Sequence, residues 1–175
     1  MTETPSYTVI QKQGDIELRK YAPYIKAEVK VSETSYRNAI YKGFRILADY
    51  IFGNNIKTEK IAMTSPVQVS QSEKIAMTTP VTISGEGTYT VAFIMPSKYT
   101  LDDLPKPKNP AISFAQVESQ TLVSFNFSGF YRQNQVDKAK KELQHWLDGH
   151  SIEPAGDFII AGYDPPWVSL VFSLE

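Results

Sequence analysis

The chain contains no cysteine. That one absence removes disulfides, thiolate zinc sites, iron–sulfur clusters, c-type haem attachment and cysteine nucleophiles. Histidine is nearly as scarce, with two residues, His145 and His150, both late in the chain. Runs of Lys or Arg suited to a phosphate backbone are absent and the formal net charge is -1, which argues against a nucleic-acid partner. No apolar stretch approaches the roughly 20 residues of a membrane span. Met1 to Ser6 lacks the basic and apolar regions of a secretory leader, so a cytoplasmic location is expected. The Gly-x-x-x-x-Gly-Lys-[Ser/Thr] phosphate loop and the Gly-x-Gly-x-x-Gly fingerprint are also missing.

What is present suits a soluble globular protein: 175 residues, 42% apolar and 21% charged. That length fits one domain over 1–175, or two halves sharing a core. The most distinctive stretch is Glu59-Lys60-Ile61-Ala62-Met63-Thr64-Ser65-Pro66-Val67, followed closely by Glu73-Lys74-Ile75-Ala76-Met77-Thr78-Thr79-Pro80-Val81. The two blocks differ only at Ser65 against Thr79. Each alternates around Ile, Met and Val, so each reads as a strand, with its proline at an edge, a bulge or a strand end.

Along the chain, Tyr7 to Gln13 and Ile16 to Tyr21 read as a hairpin turned at Gly14-Asp15. Apolar residues then change phase across Ala22-Pro23, from Ile16 and Leu18 to Ile25, Ala27, Val29 and Val31. One long bent strand explains the change. A helix capped by Thr34 or Ser35 should run from Tyr36 to Phe52 and stop at Gly53-Asn54-Asn55. Tyr89 to Met95 reads as a buried strand after a Gly85-Glu86-Gly87 turn, and 96–110 holds four of the eleven prolines as an ordered connection. Ile112 to Val117 and Leu122 to Phe127 read as paired strands. Asn134 is the expected cap of a second helix ending near Asp148, with Gly149 beyond it. Phe158 to Tyr163 and Val168 to Leu174 complete the chain as strands. The order suggests an internal duplication, about 7–95 and 111–175 joined by 96–110, in an α+β fold whose mainly antiparallel sheet curves toward a barrel.

The two helices differ. Helix two presents an apolar stripe of about 100°, Val136, Ala139, Leu143, Trp146 and Leu147, with charge elsewhere. Helix one gathers Asn38, Lys42, Arg45 and Asp49 on one narrow polar face, with almost everything else apolar over a sector of roughly 220°. A core satisfies the second; the first has apolar surface left for extra strands, a partner subunit or a ligand. Catalytic candidates are few. His145 falls on a charged face and His150 at the helix end, both as surface residues, and Asp102-Asp103 belong to a solvated turn. Glu59, Glu73, Glu118 and Glu153 show no pairing suited to acid–base work. Met63 and Met77 carry thioethers that either fill a core or approach a haem iron.

Three blocks in order resemble the SOUL (haem-binding protein) family. They are Lys60 to Val67 with its second copy, Phe93-Ile94-Met95-Pro96-Ser97-Lys98-Tyr99-Thr100-Leu101 with Leu104-Pro105, and Ala161-Gly162-Tyr163-Asp164-Pro165-Pro166. The resemblance implies a duplicated strand–helix–strand unit forming a distorted antiparallel β-barrel with two helices, like bacterial effector-binding domains. It implies non-covalent, reversible binding of haem or another tetrapyrrole in a groove beside the first helix, at Tyr41, Phe44, Arg45 and Ala48, with Met63 and Met77 as further candidate contacts. Arg45 would meet a propionate and Phe44 would lie against the ring. Some family members use an axial histidine from the first half, which this chain lacks before His145. An apolar patch of roughly 350 Å² at about 25 cal/mol per Å² offers about 9 kcal/mol before association costs, so micromolar or weaker affinity is expected.

The expected function is therefore a soluble tetrapyrrole carrier or buffer without a catalytic constellation, and a monomer. One alternative is a binding module for another amphipathic effector, a protein partner or a second subunit on the same helix face. The other is a hydrolase, for which Glu59 and Glu73 are the suggestive carboxylates.

Overall fold

Gly14 has a φ of 59°, the left-handed turn that lets β1 (Tyr7–Gln13) fold back on β2 (Ile16–Tyr21). The computed structural model describes residues 3–71, 87–128, 132–155, 158–162 and 167–173. Within them follow β3 (Tyr24–Glu33), α1 (Tyr36–Ile51), β4 (Val67–Gln71), β5 (Gly87–Ile94), β6 (Ile112–Val117), β7 (Gln120–Ser128), α2 (Gln133–Gly149), β8 (Ile159–Gly162) and β9 (Trp167–Ser173). The strands form one sheet in the order β1-β2-β7-β9-β8-β4-β5-β3-β6, with every named pair antiparallel.

The change of phase at Ala22-Pro23 is real, since Ile16 and Leu18 of β2 and Ile25, Ala27, Val29 and Val31 of β3 all meet the main core. The long bent strand is nonetheless two. A proline cannot donate to a ladder, and beyond it the partners change: β2 pairs with β1 and β7, β3 with β5 and β6. The second half breaks at the same level. Tyr21 pairs with Gln120, Tyr24 pairs with Val117, and the Ser119 hydroxyl donates to the Tyr21 carbonyl at 2.9 Å. Consequently β6 and β7 lie end to end along a bent partner instead of pairing with each other as the sequence suggested. These two breaks bring the ladder round on itself through the β2–β7 and β3–β6 pairs. The result is a distorted, incompletely closed barrel with β1 and β6 as outer strands.

The first Lys-Ile-Ala-Met-Thr block is not a strand. Residues 58–63 have no regular structure, Thr64 makes an isolated bridge to Glu3, and β4 begins only after the cis Ser65–Pro66 bond. The cause is competition from the helix end, because the Ile61 N–H donates to the Ile51 carbonyl at 2.7 Å. The second block, and Gly85 and Glu86 of the expected turn, lie outside the described residues. So do the last four residues of the block from Ala161 to Pro166.

The units β3-α1-β4-β5 and β7-α2-β8-β9 occupy equivalent places. Their strands run 3-5-4 and 7-9-8 across the sheet, joined where β4 meets β8 at Val67–Gly162 and Val69–Ile160. Helix α1 packs on β3, β5 and β4, and α2 on β7 and β9. The Ser35 hydroxyl caps α1 by accepting from the Asn38 N–H at 3.2 Å. In α2 the cap is Arg132, not Asn134. The helix starts two residues early, at Gln133, whose side chain donates to Asp137 one turn on at 2.9 Å. Gly149 is its last residue. Its buried residues are Val136, Ala139, Leu143, Trp146 and Leu147, the stripe read from the sequence.

The other face of β2 buries charge. Arg19 and Glu17 are 4% and 7% exposed and lie 2.6 Å apart. Arg19 also donates to the Tyr21 hydroxyl at 3.2 Å and lies 4.5 Å over the Tyr7 ring, while Lys12 approaches Glu17 at 3.1 Å. Burial pushes the Glu17 carboxyl up, but the hydrogen bonds and charges of Arg19 and Lys12 outweigh it and hold it below the ordinary carboxylate value.

Two stability predictions follow from this packing. A Cβ on Gly43 would stand 2.5 Å from Val91, so Gly43→Ala should lose about 1–3 kcal/mol in urea melts, although the same change in an open helix gains about 1. Glu17→Gln should lose about 3 kcal/mol at pH 7 by leaving Arg19 buried without a counter-charge. Because the folded pKa of Glu17 is the lower one, its stabilisation is present above the unfolded value and disappears as pH falls through the folded value. The difference between wild type and variant should therefore shrink from pH 7 to pH 3.

Candidate functional site

Helix α1 has two apolar sides. Tyr36, Ala39, Gly43, Leu47 and Tyr50 recur every three or four residues and are buried. A second stripe, Tyr41, Phe44, Ala48 and Phe52, runs along another flank of the helix and reaches solvent at three of its four residues. Tyr41 is 70% exposed, Phe52 66% and Phe44 39%, while Ala48 is buried. Phe44 is steadied from one side only, its ring meeting Phe93 edge-on at 5.2 Å. Along this outer face runs an open groove of about 1400 Å³, reached at one end by Asn109 of the proline-rich connection.

Four residues expected from the sequence, Tyr41, Phe44, Arg45 and Ala48, all line this groove. Met63 does not; it is partly buried against the main core. Met77 lies outside the described residues. Sequence reasoning passed over Arg37 and Phe52, which also line the groove. The signal was available: Arg37 stands four residues before Tyr41 and Phe52 four after Ala48, on the same stripe. Asn109 carried no such signal, since its approach is set by the connection's path.

Charge around the groove is uneven. Lys42 pairs with Glu33 at 3.3 Å, and Asp49 accepts from the Asn54 side chain. The side chains of Arg37 and Arg45 form no hydrogen bond or ion pair among the described residues. They flank Tyr41 at i−4 and i+4, so two guanidiniums bracket an exposed phenol on one helix face.

The end of the groove near Phe52 is fixed by buried hydrogen bonds. Asn55, fully buried, donates to the Tyr50 and Glu59 carbonyls at 3.1 and 2.7 Å and accepts from the Glu59 N–H at 3.1 Å. The connection docks on this turn: the Tyr50 hydroxyl donates to the Pro105 carbonyl at 2.6 Å, and the Ile56 N–H to the Lys106 carbonyl at 2.9 Å. Burial, with nearby Tyr99 and Glu59, pushes the Tyr50 phenol far above its ordinary value, so it remains a donor.

Among the described residues no histidine or methionine lines the groove. His145 is exposed, and His150 stacks on Trp146 with ring centroids 4.0 Å apart. Among the described residues no three His, Cys, Asp or Glu gather as a metal site, and no helix is long and apolar enough to cross a membrane. Glu59 receives the Tyr99 hydroxyl at 3.0 Å and lines neither the groove nor the second cavity described below. Glu73 lies outside the described residues. Asp102 and Asp103 are exposed in the expected turn, with the Thr100 hydroxyl donating to Asp103 at 2.8 Å.

Comparison with known proteins now adds to the geometry. The profile described as SOUL heme-binding protein matches residues 2–173. Human heme-binding protein 2 is 30% identical over 132 residues, 73% of this chain and 61% of the relative. Heme-binding protein 1 of Xenopus laevis is 28% identical over 151 residues, 86% of this chain and 75% of the relative. The chain thus spans about three fifths of the human relative's length. Among solved structures, the EcmrR C-terminal domain superposes with a TM-score of 0.63 at 11% identity, covering 97% of this chain and 98% of that one. A structure described as a hydrolase from Listeria innocua gives 0.61 at 9% identity, covering 95% and 94%. At such identities the likeness is one of fold alone, α+β with two helices on an antiparallel sheet.

The Asn55 turn supplies its own test. Asn55→Ala should cost about 2–3 kcal/mol in chemical denaturation, because buried backbone groups lose their partners. Asn55→Asp should cost at least as much, since a carboxylate would face two carbonyl oxygens. Amide exchange should rise across 50–61 in both.

Proposed function

Because the chain belongs to the SOUL heme-binding protein family, we propose that it binds haem or a related tetrapyrrole reversibly and non-covalently on the outer face of α1, as a carrier or buffer. The observation that supports this most is the second apolar stripe of α1, exposed at Tyr41, Phe44 and Phe52 beside two guanidiniums without a partner among the described residues. A flat ring gains most from aromatic side chains that cover its face, and Phe44 and Phe52 supply them. The ring's carboxylates are matched by Arg37 and Arg45, whose forks bind carboxylates bidentately.

The donor set fits a tetrapyrrole held by its face and its carboxylates, without an axial histidine. When bound, haem would bring the redox chemistry of its iron. The side chains on α1 shield one face and neutralise charge. With no iron–protein bond, a Kd around micromolar is the expectation, which suits transport or buffering in the cytoplasm by a monomer. The equivalent placing of β3-α1-β4-β5 and β7-α2-β8-β9 is what a duplication spanning about 7–95 and 111–175 would leave. A second reading is favoured by Ile56, 65% exposed just past Phe52. It extends the apolar surface beyond the groove, as a docking face for a protein partner or second copy would.

Titration with haem and with protoporphyrin IX, followed by Soret absorbance, tests the assignment. Phe44→Asp should weaken both at least about tenfold. Replacing Arg37 and Arg45 together by Ala should weaken haem but not its dimethyl ester. Equal uptake by Phe44→Asp and wild type rejects the site. A stable dimer in light scattering that loosens in Phe52→Asp would favour the second reading.

A further inference from the structure

Two of the blocks that carry the family likeness, through Thr64 and through the stretch from Ile94 to Leu101, border a different cavity, of about 620 Å³, walled also by the N-terminal segment and the bend at Ala22 to Ile25. Three contacts through Glu3 tie these walls together. Its carbonyl accepts from the Ser65 N–H at 2.9 Å, its carboxylate from the Ser97 N–H at 2.8 Å, and its backbone bridges to Thr64. The N-terminal segment is therefore built into the site. Thr64 is itself buried and anchored, its hydroxyl donating to the Ile94 carbonyl.

The chemistry of this cavity is opposite to that of the groove. Its walls mix apolar side chains, Ile25, Ile94, Met95 and Leu101, with neutral polar ones such as Thr64, Thr100 and Gln116. Among the described residues no Lys, Arg or His lines it, and Glu3 is the one charged side chain. Lys98 turns instead over the Tyr99 ring, 4.9 Å from its centroid. Only Oε1 of Glu3 is engaged by Ser97, which leaves the second carboxylate oxygen for a ligand. Glu3 is exposed, so its carboxylate stands at the mouth of the cavity, where it attracts a cation and repels an anion. The volume falls in the range of small-molecule sites and is less than half that of the α1 groove.

We propose that this cavity is a second binding site, for a small organic cation with an apolar body, its head at Glu3 and its body against Ile94 and Leu101. The site does not depend on what occupies α1. A dianionic tetrapyrrole belongs at Arg37 and Arg45 and is repelled here, so the two ligands should bind together.

Calorimetric titration with 2-phenylethylamine, 3-phenylpropanol and 3-phenylpropionate tests the assignment. The amine should bind saturably and more tightly than the carboxylate by about tenfold or more. Glu3→Gln should abolish most of that preference, and Leu101→Trp, at a residue 45% exposed at the edge of the cavity, should block all three. Haem titration should be unchanged in both variants. Absence of saturable amine binding overturns the proposal, as does a preference that survives Glu3→Gln. Displacement of the amine by haem would also overturn it, by showing one site rather than two.

Discussion

Contact between Gly43 and Val91 fixes how α1 sits, and much else depends on that seating. With no side chain at Gly43 the helix lies directly on β5. It buries Tyr36, Ala39, Leu47 and Tyr50 to 2% exposure or less. So close an approach settles which side of the cylinder meets the sheet. The opposite side is then left outward, and the residues there are Tyr41, Phe44 and Phe52. The groove follows from how the helix docks on its own fold.

This explains why the helix was the most legible part of the sequence. Helical periodicity assigns side chains to faces, and the surplus of apolar positions between Tyr36 and Phe52 was visible without coordinates. Strand identity was equally legible for Tyr7 to Gln13 and Ile112 to Val117, where alternation and turn residues agree. Strand partnership was not. Adjacent runs such as Ile112 to Val117 and Leu122 to Phe127 look like a hairpin, but they lie end to end because Tyr21 and Tyr24 claim their two ends separately. Pairing is decided by distant segments, which local pattern does not encode. The block from Glu59 to Val67 misled for a related reason. Its alternation is that of a strand, yet Asn55 and the Ile51 carbonyl capture its backbone first.

Of the candidate site, the residues set by helix geometry were legible and those set by loop paths were not. Tyr41, Phe44, Arg45 and Ala48 share a face through spacing alone. Asn109 reaches the groove only because the connection is pinned by Tyr50 and Lys106. The cavity at Glu3 was invisible for the same reason, being assembled from five separated segments. Its walls include Thr64 and the stretch from Ile94 to Leu101, from two of the distinctive blocks, and share no residue with the groove.

The comparison of α1 with α2 bears on whether the outer apolar stripe reflects folding or binding. Both helices follow the first strand of a three-strand unit, and both cover the same side of the sheet. If this position required an apolar outer face, α2 would have one. Instead α2 buries a single stripe from Val136 to Leu147 and presents Asp137, Lys138, Lys141, Glu142 and His145 outward, all exposed. Equal architecture with unequal surface shows that the fold is satisfied without the second stripe. Leaving Tyr41 and Phe52 mostly in water forgoes roughly 1.5–3 kcal/mol of burial at each large apolar side chain. The ligand or partner proposed for that face would account for an apolar surface present on one helix and absent from the other. Arg37 and Arg45, without partners among the described residues, favour one that brings negative charge.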